Sequence, residues 1–353
     1  MPLAPGGLLQ LSPQGLYCPA ARAWIDPWRP VPRALITHAH ADHARPGCGE
    51  YWAVASSEGI LRERLGGEIR LLPVDYGQLH RIGDARVSFH SAGHVLGSAQ
   101  IHLEAGGESW LVSGDYKRCS DPSCSPFEPV QADVLISEAT FGLPIYHWRS
   151  GADVAAEILA WWRSAPDRPS VLFCYAFGKA QRVLAELHRL GVSEEVLLHG
   201  AVERLMAPYR EAGVAMPPTR PLGHVERGAE LAGRLLIAPP AAHRSRGLGR
   251  FAKAQSGFVS GWMAVRGARR RRGYGKGFVM SDHADWSGLL RSVRESKAQQ
   301  VYVTHGQSDV LARYLREVEG ISAEPLEGHF EAERFDDDDA LAPPEPTSAG
   351  PAN

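Results

Sequence analysis

The chain lacks several things that would have narrowed its class at once. In its 353 residues no run of 18 apolar side chains occurs, so no helical membrane span is expected. Residues 1–11 carry neither a basic cluster nor a long apolar core, and no signal peptide is expected. Cysteine is scarce and odd in number (Cys18, Cys48, Cys119, Cys124 and Cys174), with no C-x-x-C pair. That pattern argues against a disulfide-stapled scaffold and suits a reducing cytoplasm, where the chain is expected to reside. No internal repeat is visible. One stretch is basic without any acid: between Arg244 and Lys276 there are ten basic residues and no acidic one, with Arg269, Arg270, Arg271 and Arg272 consecutive. The opposite imbalance closes the chain. From Phe330 onward seven acidic residues face one arginine, a charge of −6, so the formal net charge of −2 leaves +4 on the rest. This tail, 329–353, reads as disordered and solvated.

What is present centres on Leu35-Ile36-Thr37-His38-Ala39-His40-Ala41-Asp42-His43. Ala34 to Ile36 reads as a buried strand, followed at once by H-x-H-x-D-H. Neutral imidazoles and a carboxylate are the ligands that borderline divalent metals prefer. In extended backbone His38 and His40 project to one side, while Asp42 and His43 follow where the chain turns and can face a second centre. The bland alternative, surface histidines at a helix start, is weakened by partners downstream.

Those partners follow predicted strands. A meander of short strands over Ile69–Ser113 leads to Ser91-Ala92-Gly93-His94 and to Ser113-Gly114-Asp115, and the strand Val134–Ser137 leads to Glu138. Upstream, Asp26 ends a strand just before Pro27; it can orient a metal-bound histidine or simply close an Asx turn. After Tyr146 the texture becomes alternating α/β. Helices are expected at Val154–Arg163, from Gly178 to Leu190 and at Val202–Ala212, with strands at Ser170–Cys174, Val196–His199 and Leu235–Ala238, a small parallel sheet. Phe278–Met280 then reads as a return to the first domain, delivering Ser281-Asp282-His283; a strand at Gln300–Val303 delivers Thr304-His305-Gly306. Strand-end loops are where a layered α/β fold gathers a site. Ser57 is expected to cap a helix to Leu65. Gly178-Lys179-Ala180-Gln181 opens a helix where a phosphate could rest, or is a plain turn.

This order of residues resembles the metallo-β-lactamase fold, and the insertion with Glu138, His283 and His305-Gly306 resembles its β-CASP branch of nucleases. Within that branch the chain is most similar to bacterial ligase-associated DNA exonucleases, on Gly15–Cys18, Ile25–Trp28, Ala39–Pro46, Ser260–Met263, Arg269–Arg272 and Ser281–Trp286, over roughly residues 8–328. The resemblance implies an α/β fold: an αββα metallo-β-lactamase sandwich (1–146 and 277–328) with a smaller inserted α/β β-CASP domain (147–276). It implies one metal on His38, His40 and His94, a second on Asp42, His43 and His305, and Asp115 between them. Asp42, Asp115, Glu138 and His283 would form the catalytic set, Asp26 standing behind a ligand. The expected cofactors are two divalent ions, zinc favoured by the histidine-rich shell and manganese compatible with the carboxylates. Artemis-type DNA repair nucleases lack the late metal-binding histidine and RNA-processing members have it, so His305 does not support a DNA substrate.

Three function classes follow. The leading expectation is a two-metal phosphodiesterase: a DNA exonuclease, 5′-end directed and leaving 5′-phosphates, in DNA repair. Its partners would be nucleic acid, DNA favoured over RNA, with a DNA ligase and helicase as functional associates implied by the family likeness, and no membrane. An RNA-processing nuclease of the same fold is the alternative. A small-molecule thioester or lactam hydrolase would need neither the inserted domain nor the arginine block, and a non-catalytic binding module would not need so full a ligand set. Lys179 and Arg269–Arg272 are the expected contacts to phosphates, with Phe251, Phe258, Trp262 and Tyr274 as candidates for base stacking.

Overall fold

The structure is a computed structural model, and it describes residues 7–226, 228–265 and 273–326. In chain order the first sheet comes from β1 (Gln10–Ser12), β2 (Gly15–Cys18), β3 (Ala23–Ile25), β4 (Arg33–Leu35), β5 (Glu50–Val54) and β6 (Leu71–Val74), each beside its predecessor. The β1–β3 pairs are antiparallel and the β3–β6 pairs parallel. Helix α1 (Glu58–Leu65) lies between β5 and β6. A second sheet begins with β7 (His80–Ile82), β8 (Ala85–Ser91), β9 (Ala99–Ala105), β10 (Glu108–Val112) and β11 (Val134–Glu138), antiparallel as far as β10.

The chain then builds a third sheet before returning. Helix α2 (Gly151–Arg163), β12 (Ser170–Phe173), α3 (Lys179–Arg189), β13 (Val196–Leu198), α4 (Gly200–Glu203), α5 (Met206–Glu211), β14 (Thr219–Pro221), β15 (Leu235–Ala238), β16 (Gln255–Val259) and β17 (Lys276–Phe278) form an all-parallel sheet in the order β14-β13-β15-β12-β16-β17. Helix α6 (Trp286–Ser296), β18 (Gln300–Thr304), α7 (Ser308–Glu317) and β19 (Ser322–Pro325) complete the second sheet, β18 and β19 adding parallel to β11.

Period-two alternation explains the layers. On β10 and β11, Trp110, Val112, Val134 and Ile136 face the first sheet, where they meet Leu16, Ile25 and Leu35. Their neighbours Leu111 and Leu135 face outward and are covered by Leu289 and Val293 of α6 and Leu311 and Leu315 of α7. The outer face of the first sheet, with Ala34, Ile36, Tyr51 and Ala53, is covered by Ile60 and Leu61 of α1 and is continuous with the core of the third sheet, where Val154, Ile158, Val183 and Leu187 pack over Leu172 and Ile237. The result is helices, sheet, sheet, helices, with the third sheet seated against one side.

Several sequence expectations are corrected. Phe278 does not begin a return to the first unit; β17 pairs with β16, and the Phe278 ring packs 5.4 Å from that of Trp161, an apolar residue whose owner the period alone could not name. The helix expected over Val202–Ala212 is broken into α4 and α5 because Pro208 has no N–H to continue it and its ring would crowd the carbonyl of Arg204. The strand near Ile69 belongs to the first sheet as β6, so the antiparallel meander starts only at β7. Ser57 does not cap α1; its hydroxyl donates to the Val54 carbonyl at 2.7 Å. The strand β19 has no counterpart among the sequence expectations.

Candidate metal centre

Three neighbouring parallel strands end at one rim, and each releases a ligand-type residue there: Asp115 just beyond β10, Glu138 as the last residue of β11, and His305 just beyond β18. The loop after β4 brings Thr37 to His43 to the same place, the β8–β9 loop brings His94, and the segment after β17 brings His283. Parallel strands carry their C-terminal ends to one edge, so residues far apart in sequence converge. The backbone is bent to suit. His305 sits at φ +57 and Gly306 at φ +53, and a Cβ on Gly306 would overlap the Ala139 carbonyl oxygen.

The side chains form three groups, in each of which one ligand atom per residue lies within 4.8 Å of the others: His38, His40, His94 and Asp115; Asp42, His43 and His305; and Asp115, Glu138 and His283. With metal–ligand bonds of about 2.0–2.1 Å, two ligands of one tetrahedral ion stand roughly 3.3 Å apart, wider than most hydrogen bonds. The spacings match that range. His94 Nε2 is 3.1 Å from His40 Nδ1, His38 Nε2 is 3.6 Å from Asp115 Oδ2, and His43 Nε2 is 3.4 Å from Asp42 Oδ2 and 3.6 Å from Asp115 Oδ2. His38 Nε2 and Asp115 Oδ1 are buried and have no hydrogen-bond partner. Buried polar atoms left in this state are costly unless something absent from the chain satisfies them. Nitrogen and carboxylate donors in this arrangement fit divalent cations.

Three of the candidate ligands, His43, His94 and His305, are aimed by neighbours. Asp26 Oδ2 accepts from His43 Nδ1 at 2.7 Å, while the same carboxylate accepts from the Thr37 amide at 2.8 Å and hydroxyl at 2.5 Å. Asp26 thus stands directly behind His43. His94 Nδ1 donates to the main-chain carbonyl of Asp282 at 2.7 Å, directing Nε2 into the cluster, and His305 Nδ1 lies 3.0 Å from Thr304 Oγ1. Burial first, then neighbouring imidazoles, holds His38 and His94 well below the ordinary histidine pKa, the neutral form a metal needs. His305 is pushed down to about 4, by burial and then by His43. Burial also raises Asp115 to about 8 despite His43 beside it, a group that calls for a cation. His43 goes the other way: burial lowers it, but Asp42, Asp115 and Asp26 outweigh that and raise it.

The third group is an acid–base pair. His283 Nδ1 lies 2.9 and 3.1 Å from the two oxygens of Glu138, whose Oε1 also accepts the Tyr116 amide at 2.8 Å. Burial raises the Glu138 pKa, but His283 and these hydrogen bonds outweigh it and keep the carboxylate charged. Phe141, whose ring centroid is 5.9 Å from that of His283, anchors an aromatic cluster with Tyr146, Trp148 and Trp262 at 4.8, 4.9 and 4.7 Å.

Sequence reasoning missed a buried charge cluster directly behind the ligands. Asp282 Oδ2 is 2.7 Å from Lys179 Nζ, and its Oδ1 is 3.0 Å from Arg182 Nη1 and 3.7 Å from Lys117 Nζ. Asp121 pairs with Lys117 and lies 3.4 Å from Arg182 Nε. Lys117 Nζ also donates to the His94 carbonyl at 3.2 Å. Lys179 is therefore not the open phosphate contact expected. It is buried and paired, on the wall of a small pocket shared with His40, Tyr175, Ser260 and His283. Its helix start does demand glycine: Gly178 has φ +84, and a Cβ there would overlap Val95. The expected contacts Arg269, Arg270, Arg271 and Arg272 and the acidic tail lie outside the described residues. Of the proposed stacking aromatics, Phe251 and Phe258 are core side chains, Tyr274 stacks on Phe258 at 4.9 Å, and Trp262 is half-buried.

No protein-family model matches the sequence. A protein named Probable DNA ligase from Opitutus terrae is 33% identical over 307 residues, covering 86% of this chain and 30% of that protein. Endoribonuclease YSH1 from Mycosarcoma maydis is 23% identical over 83% of this chain and 43% of its own length, and Transcription termination factor FttA from Methanosarcina mazei is 27% identical over 51% and 34%. The chain thus spans less than half the length of each of these relatives. Among solved structures, a protein of unknown function from Enterococcus faecalis V583 superposes with a TM-score of 0.57 at 12% identity, over 84% of this chain and 80% of that one, a likeness of fold. Among the described residues no helix is long and apolar enough to cross a membrane.

Proposed function

We propose that this chain is a metal-dependent nuclease of the metallo-β-lactamase fold and its β-CASP branch, the third sheet being the inserted β-CASP domain. The observation that carries this reading is the set of three ligand groups at one rim, two of them sharing Asp115. His38, His40 and His94 would hold one divalent ion and Asp42, His43 and His305 a second, with Asp115 between them; zinc suits the imidazole-rich set best and manganese is compatible. When bound, two such ions supply Lewis acidity and an activated water to in-line attack on a phosphodiester.

The chain's own groups do the rest. Asp26 and the Asp282 carbonyl fix the tautomers of His43 and His94. Glu138 holds His283 by Nδ1, so the proton for the departing 3′-oxygen would come from Nε2, leaving 3′-hydroxyl and 5′-phosphate ends. The likeness over 307 residues to a protein named a probable DNA ligase supports DNA as the substrate and a ligase as a functional associate, and with the resemblance of the sequence it supports removal of nucleotides from 5′ ends in DNA repair. RNA is the second reading, favoured by His305 and by relatives named endoribonucleases.

The test is digestion of matched single- and double-stranded DNA and RNA, labelled at either end, by wild type and by the double variant Asp42→Ala, His43→Ala. Loss of cleavage in the variant supports the reading, and the substrate and labelled end consumed first decide DNA against RNA and polarity. Equal cleavage by both proteins sinks it.

A further inference from the structure

Arg45 follows two residues after His43 in the ligand loop and belongs to none of the three ligand groups. It is half-buried, its Nε is buried with no hydrogen-bond partner, and among the described residues its guanidinium meets no carboxylate. Its main chain is pinned, since the Tyr51 hydroxyl donates to the Arg45 carbonyl at 2.8 Å. A guanidinium that has one buried nitrogen without a partner, meets no carboxylate and lines a cavity suits an anion from outside. The cavity it lines identifies that anion. Its walls include Asp42, His43 and His305, the second ligand group, with Trp28 and Leu16 as an apolar flank. The pocket that holds His283 is lined instead by His40, Phe141, Lys179 and Ser260, and the two pockets share no residue.

On the nuclease reading, a strand laid across both ligand groups has its leaving 3′-oxygen on the His283 side. The nucleotide that acquires the new 5′-phosphate then lies on the side of Asp42, His43 and His305. We propose that Arg45 binds the next phosphate along that nucleotide, the one on its 3′-oxygen, with Trp28 flanking the nucleoside. The planar guanidinium fork suits a phosphate in the way a lysine does not. The pocket is thus a subsite for a nucleoside carrying phosphate at both ends, and it sets the direction in which the strand crosses the metals.

The experiment compares calorimetric binding of deoxyadenosine 3′,5′-bisphosphate and deoxyadenosine 5′-monophosphate to metal-loaded wild type, Arg45→Met and Arg45→Lys, with metal content measured on each. A charge-assisted contact to the second phosphate should make wild type bind the bisphosphate about 10–100-fold more tightly. Arg45→Met should bind the two equally, Arg45→Lys should fall between, and all three should hold the same metal. Wild type binding both nucleotides equally overturns the proposal with no variant needed, as does Arg45→Met discriminating like wild type. Loss of metal in both variants would make Arg45 a support of the His43 loop and likewise overturn it. If wild type discriminates but cleaves no oligonucleotide, the nuclease reading falls and takes the strand direction with it, a result distinct from the others.

Discussion

Asp282→Asn tests the buried charge cluster most directly. The substitution keeps the shape and the main-chain carbonyl that orients His94, and removes one negative charge facing Lys179, Arg182 and Lys117 at 2.7, 3.0 and 3.7 Å. Lys117 and Arg182 would keep Asp121, and Lys179 would lose the carboxylate it faces. Breaking a buried, hydrogen-bonded ion pair from one side costs about 3–5 kcal/mol, because the partner charges stay dehydrated. Against a total stability of about 5–15 kcal/mol this is a large fraction, and in a chain of this size it lowers Tm by about 4–7 °C. The exposed pair Arg163–Glu194, at 2.8 Å, is the control: Arg163→Ala should cost about 1 kcal/mol or less. Because Arg182 and Lys179 sit on α3 while Lys117 holds the His94 carbonyl, loosening the cluster should also weaken metal retention by the His94 group. The assay is calorimetric unfolding of both variants with metal counted before and after chelator challenge. A Tm for Asp282→Asn as close to wild type as that of Arg163→Ala would refute the argument.

Other outcomes follow from the same geometry. His283→Ala should keep its metal and its substrate affinity while kcat falls about 10²–10⁴-fold, read by single-turnover cleavage beside elemental analysis. Gly178→Ala combines φ +84 with an overlap on Val95 and should destabilise by about 2–4 kcal/mol, measured by denaturant titration. Asp121 is raised by burial but lowered more by Lys117 and Arg182, so its pKa lies below the ordinary 3.8. The unfolded chain therefore takes up that proton first. The stability from Asp121 is complete above about pH 4 and is lost as pH falls through the folded value, so Asp121→Asn should flatten the acid limb of a stability–pH profile below pH 4. If Arg269–Arg272 track phosphates, replacing all four with alanine should reduce the slope of log K against log salt by about 0.7–0.9 for each phosphate no longer gripped, with metal content unchanged.

Much of the site was legible in the one-dimensional chain because its information is local. Spacing within His38–His43 dictates which donors can share an ion, and a ligand directly after an apolar run must emerge at a strand end, as Asp115, Glu138 and His305 do. The short apolar runs that form β11 and β12 were likewise readable as strands. What the chain alone did not disclose depends on who meets whom. Lys117, Asp121, Arg182 and Asp282 each look like ordinary surface residues; only the seating of α3 against the ligand loops dehydrates them together, Arg182 and Asp282 lying 100 residues apart. The same seating turned Lys179 from an expected phosphate contact into a buried partner of Asp282 and assigned Phe278 to the third sheet. It left Arg45, outwardly the plainest residue of the loop, without a carboxylate beside the second ligand group. Sequence sets which groups are present and how neighbours along the chain are spaced. Charge pairing and desolvation depend on distance in space, and those are decided only when the sheets and helices pack.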